Sequence, residues 1–168
     1  MVTEPDLTVI KDRIVEIIKD KMFDESGEDG GFVTIQRGLP DNQHFKDIAK
    51  PACFVANAPN LEVDRPFGPV TDVNGITSEG ASQHDFTFQI QIFAQAEDSE
   101  EVDKTLDQLH KTLKETLKEN YALVDPETKS DPLVIQSLFT TTTNYAAEQD
   151  GKPVDGRIFL FTCIAISA

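Results

Sequence analysis

A change of hydrophobic period between residues 84 and 120 constrains the fold of this chain more than any other feature. Residues 86–96 alternate apolar and polar side chains, and this period of two is typical of a strand buried on one face. Residues 102–117 repeat apolar side chains at steps of three and four, which predicts an amphipathic helix. A strand is therefore predicted to lead directly into a helix. The inward residues are Phe86, Phe88, Ile90, Ile92, Ala94 and Ala96, followed by Val102, Leu106, Leu109, Leu113 and Leu117.

The start of the predicted helix carries its own signals. Asp98 or Ser99 has the short polar side chain that caps free helix amides, and Glu101 stands three residues after Asp98, as in a capping box. Acidic residues gather at this end and lysines at the other, so each charge faces the end of the helix dipole that favours it. The lysines are Lys111, Lys114 and Lys118.

Patterns elsewhere predict a second helix and four more strands. Residues 6–23 have the helical period, whereas 51–56, PACFVA, form a short apolar run that suits a buried strand. Residues 32–35 indicate a short strand at a sheet edge. Residues 134–145 and 157–167 indicate a terminal hairpin. The last strand is apolar on both faces, so we expect it to lie centrally, covered by the helices and by either a neighbouring subunit or a second layer of the same chain.

The stretch from 57 to 83 is rich in proline and glycine and contains Asn74-Gly75, so it is predicted to be a long irregular loop, with a flexible hairpin at 70–76 as an alternative for its centre. Loops of this length are usually functional or disordered. The predicted elements are therefore two amphipathic helices, several strands and a long irregular loop. A length of 168 residues suits one domain spanning 1–168.

The balance of charge is strongly acidic, with 30 acidic against 15 basic residues and a net charge of -15. This argues against a nucleic-acid-binding face or an anionic membrane as the main partner. Three interpretations stay open: a well-solvated surface, adaptation to high salt, and a negative wall past which DNA slides because carboxylates repel phosphates.

No motif for catalysis, cofactor binding or metal binding stands out. His44, His84 and His110 lack metal-ligand spacing with cysteine or with one another, and His110 is expected to be a partly buried structural residue. Cys53 and Cys163 lie in apolar strand patterns and are predicted to be buried free thiols, which fits a reducing cytoplasm. The prediction is therefore no enzyme, no cofactor and no metal.

Neither a signal peptide nor a membrane span is expected. Residues 1–13 are too acidic and polar for a signal peptide, and no apolar run approaches the length of a membrane span. The chain is expected to be made and to stay in soluble form.

Four stretches together resemble the tail-terminator, or tail-completion, family of long-tailed bacteriophages and related archaeal viruses. They cover most of the chain: the helix from Leu7 to Met22, PACFVA at 51–56, the strand and helix at 86–113, and the final hairpin, which ends with RIFLFTCIAIS at 157–167. The acidity departs from an ordinary phage member and would suit a virus of a salt-loving archaeon.

The resemblance implies an α+β fold, an antiparallel sheet with two amphipathic helices packed on one face and a long irregular loop. It also implies a structural virion protein located in the tail or neck and assembled in the host cytoplasm. Such a protein forms a homo-oligomeric, hexameric ring that ends tail-tube polymerisation, binds the tail tube protein and the neck or head-completion protein, and lets DNA pass through its lumen. The family implies no catalytic residue. The candidate contacts to an adjacent ring or subunit lie in the long loop, unless that loop folds over its own sheet: Arg65, Phe67, Val70, Val73 and Ile76.

Two alternatives remain. Another head–tail connector, such as a head-closure or neck protein, would have a similar pattern. A cytoplasmic small-molecule binding protein or enzyme, using the cleft between sheet and loop and carboxylates that meet in space, belongs to a different class. A ring subunit is expected to leave Phe159, Phe161 or the residues on the opposite face of their strand uncovered before assembly, whereas a monomeric binder covers them itself.

Overall fold

A computed structural model describes residues 6–41, 45–66, 70–71, 73–78, 80, 82–125, 136–149 and 151–167. These residues contain two helices and seven strands. In chain order they are α1 (Leu7–Met22), β1 (Thr34–Arg37), β2 (Ala52–Pro66), β3 (Val70–Thr71), β4 (Thr77–Ser78), β5 (Ser82–Gln95), α2 (Ser99–Glu119), β6 (Gln136–Gln149) and β7 (Lys152–Ser167), with one 3₁₀ turn at Phe45–Asp47. The α+β class predicted from the sequence is confirmed.

The junction between β5 and α2 forms where the hydrophobic period changes. Asp98 is the N-cap of α2, and its Oδ1 accepts a hydrogen bond from the Glu101 amide at 2.9 Å. Asp6 caps α1 in the same way, accepting from the Thr8 amide at 2.7 Å. Both helix starts follow from local side-chain chemistry. The sequence predicted the α2 cap, as Asp98 or Ser99, but not the Asp6 cap of α1.

The five main strands form one sheet in the order β1-β2-β5-β7-β6. β1 runs parallel to β2, and the other neighbouring pairs are antiparallel. The predicted purely antiparallel sheet is therefore wrong at one edge. Parallel neighbours need a crossover of a dozen or more residues, and the chain supplies one between the end of β1 and the start of β2.

The main core lies between the helices and one face of the sheet. The alternating residues of β5 from Phe86 to Ala94 are buried there, opposite Phe159, Phe161 and Cys163 of β7. The apolar stripes of α1 and α2 join the same cluster. The change of hydrophobic period thus separates a strand whose inner face is buried from the helix whose apolar stripe packs over that face. The helix residues are Ile10, Ile14, Val15, Ile17, Ile18, Met22, Val102, Leu106, Leu109, Leu113 and Leu117.

The opposite face of the sheet is covered at one end. Phe45 and Ile48 of the crossover pack on a buried cluster of Ala52, Phe54 and Phe93. β7 is an interior strand, as predicted, yet its residues on this face are half-buried rather than fully covered. The crossover lies over β2 and β5, where Phe45 packs on Phe93 with 4.9 Å between ring centroids. The half-buried residues are Ile158, Leu160, Thr162 and Ile164.

The stretch predicted as a long irregular loop is mostly strand. β2 continues to Pro66, β5 begins at Ser82, and the two pair from Glu62 to Pro66. Pro59 is tolerated because it falls in a bulge between Asn57 and Glu62, beyond Val55, where the ladder with β1 ends. The hairpin alternative is realised as the short β3–β4 pair.

A charged cluster joins β7 to α2 at the edge of the core. The Arg157 guanidinium contacts Asp107 at 2.6 Å and Asp103 at 3.3 Å, and it lies 3.2 Å from Nδ1 of His110. The His110 ring also packs against Phe159, with 4.8 Å between centroids. Arginine has no acceptor, so Nδ1 must accept and the imidazole must be neutral. The expectation of a partly buried structural histidine is met.

We expect His110 to make stability depend on pH. Burial lowers the pKa of His110, and the charges of Arg157 and Lys114 lower it further against an opposing effect of Asp107. When the pKa of a histidine is lower in the folded chain, the unfolded chain takes up the proton first as the pH falls. Its contribution to the free energy of unfolding is therefore complete above the unfolded pKa of about 6.5 and declines below it. Urea unfolding at pH 7.5 and pH 5.5 should show that wild type loses stability relative to His110→Gln on acidification. An equal difference at both pH values would contradict this.

Candidate functional site

The outer ends of β2 and β5, together with β3 and β4, form an extension that we call the arm, defined as the described residues between 57 and 86. Its end is the β3–β4 turn, where Thr71 lies opposite Thr77 and their hydroxyl oxygens are 2.9 Å apart. Gly75 in this turn has a φ of +78°, a conformation that glycine adopts without strain. The predicted Asn74-Gly75 turn is therefore present.

Of the candidate contact residues, two apolar ones are exposed in the β3–β4 turn at the tip of the arm. Val73 is fully exposed and Ile76 is 66% exposed. Arg65 lies further back, where its guanidinium contacts Asp85 at 3.4 Å. Val70 pairs with Ser78 through β3, whereas Phe67 lies outside the described residues. The arm tip thus offers an apolar surface, and Arg65 is used within the arm itself.

A bulge in β2 decides which side chains share a face of the arm. Asn57 lies opposite Phe88 and Glu62 opposite Phe86, so five steps along β2 match two along β5. An odd offset of this kind exchanges the two faces of a strand. Beyond the bulge, even-numbered residues of β2 therefore share the face of His84 and Phe86.

Three potential metal ligands meet on that face. Asp64 lies opposite His84, with 2.6 Å between its Oδ1 and Nδ1 of the imidazole, and Glu62 is two residues before Asp64. One ligand atom from each of the three side chains lies within 4.8 Å of the others. The sequence search missed this group because it compared histidines only with cysteines and other histidines. A Glu-x-Asp pair was the available signal, but the bulge hid its register against His84.

No protein-family model and no curated protein matches the chain.

A groove of about 530 Å³ opens between the end of α2 and β6. Two lysines stand beside a mainly apolar lining, and Tyr121 and Leu138 are more than half exposed there. This groove differs from the cleft between sheet and loop that the sequence suggested, because most of that loop is strand. The lining residues are Lys114, Leu117, Lys118, Tyr121, Ser137, Leu138, Phe139 and Phe161.

The two cysteines are buried and free, as predicted. Burial raises the pKa of both the Cys53 and the Cys163 thiol well above the ordinary range. Neither therefore supplies a thiolate nucleophile in the folded chain. Within the part of the chain that the structure describes, no helix combines the length and apolar character that crossing a bilayer requires.

Proposed function

We propose that this protein is a structural virion protein, a tail terminator whose ring ends tail-tube polymerisation and joins the tail to the head or neck. The observation that carries the proposal is the apolar tip of the arm, where Val73 and Ile76 are held away from the core on a paired extension. Exposed apolar groups of this kind favour contact with another protein surface. The tip would bind an adjacent subunit or the tail tube protein.

The edge of the sheet supports assembly as well. Within the described residues, β6 is paired on one side by β7 and forms the end of the sheet along 14 residues. A long edge strand offers backbone groups to a further strand. Repeated head-to-tail contacts between identical chains close into a ring when the rotation permits. Arm and edge are two different surfaces, as a head-to-tail contact requires.

The half-buried face of β7 adds a second apolar surface. Ile158, Leu160 and Ile164 lie opposite the buried Phe159 and Phe161. We expected a ring subunit to leave either the two phenylalanines or this opposite face uncovered before assembly. The mechanism is geometric: the ring presents one surface to the tube and the other to the neck, and a chain charge of -15 keeps DNA from adhering in the lumen.

The groove beside α2 favours one other function, binding of a small molecule. Its volume of about 530 Å³ falls within the range of ligand sites, and its two lysines suit an apolar ligand with an anionic group. A fluorescent fatty acid is a direct probe. Saturable binding that Lys114→Gln and Lys118→Gln weaken would favour this function.

The oligomeric state in molar salt and in dilute buffer tests the ring. At molar salt the Debye length falls to about 3 Å, which screens repulsion between acidic subunits. We expect native mass spectrometry or light scattering to show a hexamer, six times the chain mass, and electron microscopy to show an open channel. A monomer under both conditions would shift the balance toward small-molecule binding.

A further inference from the structure

We propose that Glu62, Asp64 and His84 form a binding site for a divalent metal ion of the zinc class. The three side chains come from two paired strands and share one face of the arm. Their ligand atoms lie within 4.8 Å of one another. This proposal does not depend on the proposed function, because the site is complete within one chain.

The bulge is what builds the site. Without it, continued alternation from the Asn57–Phe88 pair would place Pro59 opposite Phe86 and Leu61 opposite His84. The inserted residues instead bring Glu62 and Asp64 to those positions. Bulges commonly occur next to functional sites, where they redirect side chains. Here the redirected pair is acidic and lies beside an imidazole.

The donor set selects the metal. Imidazole with two carboxylates suits Zn²⁺ and its transition-metal neighbours, whereas Ca²⁺ and Mg²⁺ prefer oxygen ligands alone. Zinc bonds of about 2.0 to 2.2 Å in a tetrahedron place ligand atoms about 3.3 Å apart. Glu62 and Asp64 are exposed and can rotate to that spacing. Three protein ligands leave a fourth position for water.

The residues around the site hold the imidazole in place, and Arg65 does not pair with Glu62 or Asp64. His84 is 5% exposed, and its ring is stacked on Phe86 with 6.1 Å between centroids. A buried ligand of fixed orientation loses little freedom on binding. Arg65, the one basic residue between 57 and 83, points to the other face and contacts Asp85. Two adjacent carboxylates in a chain of net charge -15 favour cation binding.

A bound metal ion would cross-link β2 and β5 just beyond the bulge. The ladder between these strands is interrupted between Asn57 and Glu62, so a shared ion would restore a rigid link where hydrogen bonds are lost. Binding to the folded chain alone raises its stability as the metal concentration increases.

A metal titration of the purified full-length chain tests the site. The protein is stripped with EDTA, dialysed, and titrated with ZnCl₂ by calorimetry, with CaCl₂ and MgCl₂ as separate titrations. We expect one Zn²⁺ per chain and a higher melting temperature, with Ca²⁺ and Mg²⁺ binding at least about tenfold more weakly. No zinc binding, or equal binding of all three ions, would overturn the proposal.

Paired variants assign the ligands. Glu62→Gln with Asp64→Asn keeps shape and removes two charges, and Glu115→Gln with Glu119→Gln removes two exposed charges from α2 as the matched control. The first variant should lose at least about tenfold in zinc affinity, since even supporting residues of a metal site have effects of that size. The second should bind as wild type does. Equal affinity in both variants would refute the assignment, and neither result bears on ring formation.

Discussion

An Ile90→Ala variant is expected to lose about 3 kcal/mol of unfolding free energy, since Ile90 is fully buried between β5 and the helices and the deletion leaves a cavity. For a chain of this length, that loss lowers the melting temperature by roughly 6 to 12 °C. Chemical denaturation monitored by circular dichroism measures it directly.

Ile158→Ala is the matched control, because it deletes the same atoms from β7, the neighbouring strand, on the opposite and half-buried face of the sheet. We expect its cost to stay near 1 kcal/mol or below, in line with incomplete burial. Equal losses in the two variants would mean that both faces of the sheet are covered alike in the isolated chain.

A Val73→Ser, Ile76→Ser variant is expected to remain monomeric under conditions in which wild type assembles. Both side chains are exposed at the arm tip, so their removal costs the isolated chain little stability. The double substitution removes apolar surface that assembly would bury. Full burial of each aliphatic side chain contributes roughly 1.5 to 3 kcal/mol to the free energy of association. Size-exclusion chromatography with light scattering reports the change.

The control for the arm tip is Val9→Ser with Leu39→Ser, which removes two apolar side chains of partial exposure, 43% and 47%, from outside the arm. This variant should assemble as wild type does. Assembly of the arm-tip variant at wild-type concentrations would show that the arm is not the contact surface.

Reasoning from local pattern succeeded where the deciding interactions are local. The alternation at Phe86 to Ala94 and the stripe from Val102 to Leu117 each reflect burial of one face, and the Asp98 cap depends on a neighbour three residues away. It failed for 57–66, part of the stretch from 57 to 83 whose prolines and glycines suggested a loop. Pairing with β5 overrode that preference, and the bulge gave Pro59 a place without a ladder hydrogen bond.

The candidate site divides in the same way. Val73 and Ile76 were identified from apolar residues in a turn-rich stretch, and they lie exposed at the arm tip. The Glu62, Asp64 and His84 group was not identified, because its members are adjacent only through the register of two strands. Register across a bulge is not encoded in the spacing of either strand alone.

By itself, the sequence determined both helices, the cap of α2, the inward face of β5 and the burial of Cys53 and Cys163, because each depends on neighbours along the chain or on apolar content. Only the tertiary structure decided the parallel edge at β1, the strand character of the arm and the meeting of His84 with two carboxylates. The physical reason is that strand pairing joins residues far apart in sequence, and a shift of one residue exchanges the faces.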